Sequence, residues 1–418
     1  MTTRRTSDDA TSGRGAVSRR RFLASAGVVA AGVTVVRPSL ARGSSANSKV
    51  KIGLVGSGGR GMWIAKLFKD HGGYEVAAVS DYFQDRTDAC GEELGVKPAM
   101  RFTGLLGYQR LIEQELDAIV IESPPYFHPE QAAAGVKARK HVYVAKPIAV
   151  DVPGCLSIEA SGQEATRQNL CFLVDFQTRA DQFYIEALQR VHAGALGNFA
   201  FGEATYHAEI PWQGQIKFLQ DDPHNTENQL RAWGLSRVLS GDIITEQNIH
   251  TLDVASWIMN APPICAYGTG GRKVREFGDC FDTFSVTYKY ADDVGIAFSS
   301  RQFNGHGTQP EGIRNRMFGT EGVLETAYGG DVLIRGKNFW RGGSSPKIYA
   351  DGAIANIAAF HKSIVESDWS NPTVAPSVRS NLVTILGRTA AYKGEVVTWE
   401  ELLKCTEKLE ADFRGLKS

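Results

Sequence analysis

The stretch that most constrains the fold is VGSGGRGMWIA, residues 55–65, which carries four glycines within its first seven positions. A glycine costs about 0.5–1 kcal/mol relative to alanine in regular structure, so such a run is expected where the backbone must approach another group closely. The β-rich run VKIGLV precedes it, and GMWIAKLFKDHGG carries apolar residues at helical spacing before a Gly-Gly end. The glycines therefore lie on a predicted strand-to-helix turn.

Three of these glycines, Gly56, Gly58 and Gly61, have the spacing GxGxxG. In a strand-turn-helix unit the first allows the tight turn, the second lets the backbone approach a pyrophosphate, and the third lets the helix pack closely on the strand. The free N–H groups at the helix N-terminus also favour an anion. The pattern therefore indicates a dinucleotide-binding turn.

The next apolar strand, YEVAAVSD, ends in Asp81, twenty residues after Gly61. A carboxylate there can accept both hydroxyls of an adenosine ribose and repels a 2′-phosphate, which favours NAD. NADP is the alternative, because Arg60 and Arg86 lie nearby and arginine is the residue that holds a 2′-phosphate. An aspartate that merely follows a strand at the surface is the purely structural interpretation.

Two further apolar runs continue the pattern of a parallel sheet that is covered on both faces. LDAIVIESPP ends at Ser123 and Pro124, and KHVYVAKP ends at Lys146. Ligands of open α/β sheets gather at the carboxyl ends of the strands. We therefore expect Gly56, Asp81, Ser123 and Lys146 to converge on one crevice.

The pattern changes from residue 172 onward. LVDFQTR begins a second unit, in which long alternating strands are broken by Gly and Asp-Asp turns. The predicted fold class is α/β: a Rossmann domain with a doubly wound parallel sheet at residues 49–171, and an α+β domain with a large open, mostly antiparallel sheet at residues 172–418.

The N-terminus is typical of an export signal. Three arginines, 19–21, directly precede Phe22. The apolar run that follows is interrupted by small and polar residues, and its length of about 15 residues is shorter than the roughly 20 that span a bilayer. Small residues at Ser39 and Ala41 suggest a cleavage site. Residues 1–41 resemble a twin-arginine signal peptide and residues 42–48 a linker, so we expect a periplasmic or secreted mature protein without a stable membrane span. A basic tail is the alternative.

Composition excludes other classes. The formal net charge is zero and no basic block lies outside the N-terminus, so the charge pattern of a nucleic-acid binder is missing. The six cysteines have no metal-ligand spacing, and a chain of 418 residues needs no disulfides to fold. We expect mostly free, buried thiols and no metal site.

Taken together, these motifs resemble the Gfo/Idh/MocA family, which includes glucose-fructose oxidoreductase and inositol dehydrogenase. The resemblance rests on GxGxxG at 56–61, on Asp81, on SPPYFH at 123–128 in place of TPxxxH, on AKP at 145–147 in place of EKP, and on SGDIITEQNIHTLD at 240–253 in place of GGGxxxDxxxHxxD. It covers essentially the whole mature chain. Two residues depart from the family pattern: Ala145 replaces a glutamate, and Glu246 replaces an aspartate.

The resemblance implies a catalytic group of Lys146, His250 and Glu246. Burial beside a cationic cofactor ring would lower the pKa of Lys146, so that it can orient a hydroxyl and share its proton. His250 is the natural general base, and Glu246 would share its helix face at i, i+4. A solvent-exposed lysine and a core histidine are the structural alternatives. The implied cofactor contacts are Gly56, Ser57, Gly58, Gly59, Arg60, Gly61, Asp81, Ser123, Pro124, His128 and Lys146.

Residues 205–235 are rich in Tyr, Trp, His, Asn and Gln and lack a regular apolar period. A sugar site needs flat apolar faces and polar donors at its rim, so this segment is the predicted substrate wall. The alternative is a loop that only covers a sheet edge. The predicted substrate contacts are Arg179, Trp212, Asn225, Arg231 and Trp233.

These expectations define an NAD(P)-dependent oxidoreductase that acts on a sugar, glycoside or cyclic polyol by hydride transfer. Since free NAD is scarce outside the cytoplasm, export implies a tightly held NAD that is recycled in the site. One alternative is an NAD-dependent glycoside hydrolase that works by transient C3 oxidation and elimination, and another is a non-catalytic nucleotide-binding protein. Similar proteins also imply a homodimer or homotetramer.

Overall fold

The computed structural model describes residues 49–303 and 312–418. The predicted signal peptide and the linker lie outside these residues. Among the described helices, none combines the length and the apolar character that crossing a membrane requires.

The first domain is built on a parallel sheet of six strands in the order β3-β2-β1-β4-β5-β6. This is the Rossmann order, with the switch point between the first and fourth strands. The apolar runs are buried because helices cover both faces; Ile52 and Leu54 are fully buried. The strands are β1 (Val50–Val55), β2 (Tyr74–Asp81), β3 (Arg101–Thr103), β4 (Ala118–Ile121), β5 (His141–Ala145) and β6 (Phe172–Asp175).

Five helices connect these strands. The first begins within the glycine turn and ends at Gly72, which adopts a left-handed conformation with φ of 82°. The helices are α1 (Gly59–His71), α2 (Gln84–Leu94), α3 (Gly107–Ile112), α4 (His128–Lys137) and α5 (Val152–Arg167).

The strand Phe172–Asp175 corrects the predicted domain boundary. It pairs in parallel with β5, in a register that places Val142 opposite Phe172 and Ala145 opposite Asp175. The first sheet therefore extends to Asp175, because FLVD continues the strand-helix alternation of the Rossmann domain. Arg179, expected on a strand of the second domain, lies on the short helix α6 (Gln177–Ala180).

The second domain contains a nine-stranded sheet in the order β14-β13-β12-β11-β7-β10-β9-β8-β15. All its pairs are antiparallel except β10 with β7, which confirms the predicted fold class. The strands are β7 (Phe199–Ala208), β8 (Cys265–Gly271), β9 (Thr283–Lys289), β10 (Gly295–Gln302), β11 (Gly312–Gly319), β12 (Gly322–Ala327), β13 (Asp331–Gly336), β14 (Trp340–Ser344) and β15 (Val397–Thr398).

One face of this sheet is apolar and covered by helices, since its strands alternate between buried and exposed residues. In β9, Phe284, Val286 and Tyr288 are buried. The helices that come after α6 in the chain, some of which pack elsewhere, are α7 (Gln182–His192), α8 (Ile216–Asp221), α9 (Thr226–Arg231), α10 (Arg237–Ser240), α11 (Ile243–Glu246), α12 (Ile249–Met259), α13 (Ile348–Glu366), α14 (Val374–Lys393) and α15 (Trp399–Leu403).

The C-terminal part of the chain returns to the first domain. On α13, the carbonyl of Ile357 accepts a hydrogen bond from the Tyr74 hydroxyl at 2.9 Å. The last residues continue along the side of the first sheet where the cofactor is expected, and the Leu105 N–H donates to the Lys417 carbonyl at 3.0 Å. Phe413 stacks on Phe127 with ring centroids 5.4 Å apart.

Candidate active site

The glycines of the turn differ in how much space surrounds the position of an added Cβ atom. Gly56 has φ of 93°, and a Cβ there would lie 2.4 Å from the Ser123 nitrogen; a Cβ at Gly61 would lie 1.8 Å from the Gly56 oxygen. These two glycines are required by close packing. In contrast, a Cβ at Gly58 would meet only an Arg86 guanidinium nitrogen at 3.7 Å, and one at Gly59 would meet nothing within 4 Å. The open backbone at the start of α1 therefore fits a pyrophosphate.

A cavity that opens to solvent lies beside this turn. Gly56, Asp81, Ser123 and Pro124 are among its lining residues. The Asp81 carboxylate accepts the Ser57 N–H at 2.8 Å and the Phe83 N–H at 3.0 Å. Burial raises the pKa of Asp81, although these hydrogen bonds oppose the shift. The carboxylate is therefore fixed at the cavity wall, where its remaining lone pairs can accept ribose hydroxyls.

Arg60, which the NADP alternative named with Arg86 as a holder of a 2′-phosphate, is not among the residues that line this cavity. Its guanidinium lies 2.6 Å from an Asp175 oxygen and 3.0 Å from a Glu122 oxygen, and donates to the Tyr349 hydroxyl at 2.7 Å. Both carboxylates are completely buried, so they hold the guanidinium in place. Burial raises the pKa of Glu122 to about 7 while Arg60 opposes the shift. Arg86 remains as the arginine at the cavity.

Lys146 and Glu246 form a buried pair. The Lys146 Nζ donates to the Glu246 carbonyl at 2.7 Å and lies 3.3 Å from its carboxylate. Burial lowers the pKa of Lys146, and Glu246 opposes this shift. The second carboxylate oxygen accepts the Gln247 amide at 2.6 Å, and the Tyr206 hydroxyl donates to the amide oxygen of Gln247 at 2.6 Å. This chain of hydrogen bonds fixes the orientation of Glu246.

His250 does not share a continuous helix with Glu246. Helix α11 ends at Glu246 and α12 begins at Ile249, so the expected i, i+4 pair is wrong. The charge of Lys146 still reaches the imidazole, because burial first and Lys146 second lower the pKa of His250 well below 6.5. Its buried Nδ1 has no hydrogen-bond partner among the described residues. In this structure, the positive charge of Lys146 therefore acts on the imidazole of His250.

Tyr328, which no sequence motif indicates, lies beside His250. The two ring centroids are 5.1 Å apart, and the buried Tyr328 hydroxyl also lacks a partner among the described residues. Tyr328 follows β12 and precedes two glycines, a context that predicts a turn and not a site.

His128 holds two loops of the first domain together. Its Nε2 lies 2.7 Å from the Ser123 carbonyl oxygen and its Nδ1 lies 2.8 Å from the Pro147 carbonyl oxygen. Burial lowers the pKa of His128 to about 4, although both carbonyls oppose the shift. The structure thus shows His128 as a connection between the ends of β4 and β5.

Three of the predicted substrate residues have structural partners. Arg179 is bonded to the buried Asp253 at 2.8–3.0 Å. Trp212 covers Gly234, where a Cβ would lie 2.5 Å from its ring. The Asn225 side chain caps α9 by accepting the Asn228 N–H at 3.0 Å.

Two others lie at the nucleotide end of the site. Arg231 pairs with Asp85 at 2.9 Å, and its guanidinium lies 3.8 Å from the Phe83 ring centroid. Trp233 lines the cavity together with Asp81. Composition alone did not indicate which end of the cleft this segment covers.

Among the described residues, the cysteines and the other metal-binding residue types form no disulfide and no metal site. All six cysteines are free. Within residues 49–303 and 312–418, no group of three His, Cys, Asp or Glu side chains is placed to hold a metal ion.

A Rossmann domain with an open glycine turn is joined to a mixed-sheet domain that places Glu246 on Lys146, an arrangement that fits the class of two-domain, dinucleotide-dependent oxidoreductases. Residues 50–176 match the oxidoreductase family with an NAD-binding Rossmann fold, and residues 184–325 match the GFO/IDH/MocA C-terminal domain. The chain belongs to the Gfo/Idh/MocA oxidoreductase family, and its cofactor is NAD.

Curated relatives resemble part of the chain. It is 26% identical over 244 residues to glycosyl hydrolase family 109 protein 1 of Shewanella sp. (strain ANA-3). It is 27% identical over 244 residues to an alpha-N-acetylgalactosaminidase of Shewanella oneidensis. Each match covers 53% of this chain and 51% of the relative, so about half the length of these relatives is matched.

Solved structures share the fold. Scyllo-inositol dehydrogenase from Lactobacillus casei, with bound NAD(H) and scyllo-inositol, has a TM-score of 0.65 at 21% identity and covers 84% of this chain and 99% of that chain. Levoglucosan dehydrogenase in complex with NADH has a TM-score of 0.67 at 16% identity, with the same two coverages.

Proposed function

We propose that the protein uses NAD to oxidise a hydroxyl-bearing carbon of a sugar, glycoside or cyclic polyol. The observation that carries this proposal is the buried Lys146 and Glu246 pair, whose lysine charge acts on His250, a buried histidine with an Nδ1 that has no partner among the described residues. These groups follow β5 and belong to helices α11 and α12, so both domains contribute to the site.

The chain's own residues can manage the hydroxyl proton. His250 is neutral at physiological pH because burial and nearby cations lower its pKa, so its imidazole can accept a proton. Lys146 is held on Glu246 and can bind the same oxygen, which stabilises the developing alkoxide. When bound, NAD supplies the two-electron acceptor.

Replacing Lys146 by Met tests this assignment, with Lys140→Met as a matched control. Lys140 is also partly buried, but it precedes β5 and donates to the Gln114 and Leu116 carbonyls at the opposite, amino-terminal edge of the sheet. We expect the Lys146 variant to lose turnover and to bind NAD as the parent does, while the Lys140 variant keeps both. Undiminished turnover in Lys146→Met would overturn the proposed function, and turnover by the parent argues against a purely nucleotide-binding role.

The resemblance of residues 1–41 to a twin-arginine signal peptide supports a proposal about the cofactor. We propose that the protein leaves the cytoplasm folded through the twin-arginine route and keeps its NAD bound through repeated turnovers. The mass of the nucleotide released on denaturation tests this directly. One NAD per chain is expected, whereas purified protein without stoichiometric nucleotide would contradict tight retention.

Net glycoside hydrolysis is a second candidate, favoured by the names of the curated relatives. Transient oxidation at C3 acidifies the C2 proton, the glycosidic substituent is eliminated, water adds, and reduction at C3 restores the sugar. Incubation of the NAD-loaded protein with a p-nitrophenyl glycoside and no added acceptor separates the candidates. Released p-nitrophenol indicates hydrolysis, and an accumulated oxidised sugar indicates net oxidation.

A homodimer or homotetramer is also proposed. The uncovered face of the second sheet carries Phe201, which is 48% exposed and stacks on Phe318 with centroids 4.5 Å apart. Exposed aromatic pairs of this kind suit a subunit interface. Light scattering during gel filtration should give two or four times the chain mass, and a monomer would refute it.

A further inference from the structure

Two neighbouring rings of the second domain each carry a polar atom that has no partner among the described residues. The Tyr328 hydroxyl and the His250 Nδ1 are both buried, and neither has a hydrogen-bond partner among the described residues. Their rings lie 5.1 Å apart at an angle of 51°. A buried polar atom without a partner reduces stability, so a pair of them in one place is expected to serve a ligand or an ordered water.

The surroundings of this pair connect it with the site already described. Lys146 and Arg60 act electrostatically on His250, and Arg60 and Asp175 act on Tyr328. The backbone of Tyr328 is fixed, since its N–H donates to the Ile313 carbonyl at 2.8 Å. The charge of Arg60 acts on both side chains, which connects this pair of rings with the site described above.

We propose that Tyr328 is a substrate-binding residue whose hydroxyl donates a hydrogen bond to the carbohydrate oxygen next to the oxygen that His250 contacts. The site would then recognise two neighbouring oxygens and bind an adjacent diol or its amide-substituted equivalent in one orientation. This inference rests on the proposed function and names a specificity-determining residue within it.

The titration state of Tyr328 agrees with a donor role. Burial raises the pKa of Tyr328 well above its ordinary value, so the phenol stays protonated at neutral pH. His250 is neutral in the same range and keeps one nitrogen free of a proton. One ring thus offers a donor and its neighbour an acceptor, which suits two hydroxyl groups of different orientation.

Tyr288 provides a matched control. Its hydroxyl is also buried without a partner among the described residues, but it packs against Gly387 of α14 in the core of the second domain. Replacing either tyrosine by Phe removes one oxygen that has no partner among the described residues and keeps the aromatic ring. Neither Tyr328→Phe nor Tyr288→Phe should lower the unfolding temperature.

The experiment first measures turnover and binding of scyllo-inositol, levoglucosan and methyl α-N-acetylgalactosaminide by the NAD-loaded parent. Inactivity on all three and on their nearest stereoisomers would contradict the proposed function itself. With an active substrate, Tyr328→Phe should raise the Kd and KM about 3- to 10-fold, as loss of one neutral hydrogen bond predicts, with unchanged NAD affinity. Tyr288→Phe should stay within twofold of the parent.

A deoxy series makes the test specific. The analogue that lacks the contacted hydroxyl should bind the parent 3- to 10-fold more weakly, and Tyr328→Phe should bind that analogue and the full substrate about equally. Equal losses in parent and variant for every deoxy analogue would overturn the proposal, as would an unchanged KM. A lowered unfolding temperature specific to Tyr328→Phe would assign the residue a structural role instead.

Discussion

Replacing Gly58 by Ala tests the placement of the cofactor more directly than any change in the chemistry of the site. Gly58 has φ of −66° and ψ of −174°, a backbone conformation open to any residue. Its added methyl group would meet only Arg86, at an ordinary distance of 3.7 Å. The protein alone therefore gives no reason for a glycine, and Gly58→Ala should leave stability unchanged or raise it by about 0.4–1 kcal/mol.

The same methyl group should obstruct a pyrophosphate that rests on this backbone. At an NAD concentration one hundred times the parent Kd, binding stabilises the folded protein by about 2.7 kcal/mol. A tenfold weaker Kd reduces this stabilisation to about 1.4 kcal/mol, and a larger loss reduces it further. The measurement is chemical unfolding of nucleotide-free protein with and without NAD, supported by calorimetric titration.

Gly61→Ala is the contrasting variant. Its Cβ would lie 1.8 Å from the Gly56 oxygen, so α1 must shift away from β1 and stability should fall by roughly 1–3 kcal/mol even without nucleotide. Gly58→Ala should thus lose affinity without losing stability, and Gly61→Ala should lose both. Parent-like NAD affinity in Gly58→Ala would show that the pyrophosphate does not lie on this turn.

Two further outcomes follow from the buried charges. Arg60→Met leaves Glu122 and Asp175 buried without their cation and should lower the free energy of unfolding by about 3–5 kcal/mol. The folded-state pKa of Glu122 is raised to about 7 even though Arg60 opposes the shift, so the folded variant takes up protons as the pH falls. The loss of stability, measured by urea unfolding, should therefore shrink as the pH falls from about 8 to 5.5. His250 is already neutral, so the pH profile of kcat should show no inflection near 6.5, and an acid limb there that disappears in His250→Asn would refute its depressed pKa.

The sequence predicted those parts of the molecule that depend on backbone pattern. Apolar runs, glycine spacing and strand ends are local features, and they led to Gly56, Asp81 and Ser123, which line one cavity. The fourth residue expected there, Lys146, follows β5 at the same edge of the sheet but is not among the residues that line this cavity. The alternating strands of the second domain likewise predicted a mostly antiparallel sheet.

Side-chain direction was not predictable in the same way. Arg60 lies in the glycine motif, yet the two carboxylates that orient it come from β4 and β6, more than fifty residues away. Motif spacing also concealed the break between α11 and α12, where the Asn248 N–H donates to the Ile243 carbonyl, five residues earlier, at 2.8 Å. Residues 205–235 showed a binding composition, but only tertiary packing determined that Trp233 reaches the nucleotide cavity.

Ala145, where the family pattern has glutamate, is explained by its neighbours in the sheet. Asp175 stands opposite Ala145 in register, and Glu122 follows Ile121, whose strand pairs with β5 on the other side. Two buried carboxylates thus flank position 145 and share one guanidinium, that of Arg60. A glutamate here would add a third buried negative charge beside these two carboxylates.

Ala145→Glu should therefore destabilise the protein, and Ala145→Gln separates volume from charge. Ala145 is only 4% exposed, so both variants should lose about 1–3 kcal/mol to overpacking. The glutamate should lose roughly a further 3 kcal/mol at pH 8, a difference that diminishes at pH 5.5 because protonation removes the added charge. Equal unfolding free energies for the two variants at pH 8 would show that charge is not the reason for the alanine. The buried carboxylates of Glu122 and Asp175 would then not explain the absence of a glutamate at position 145.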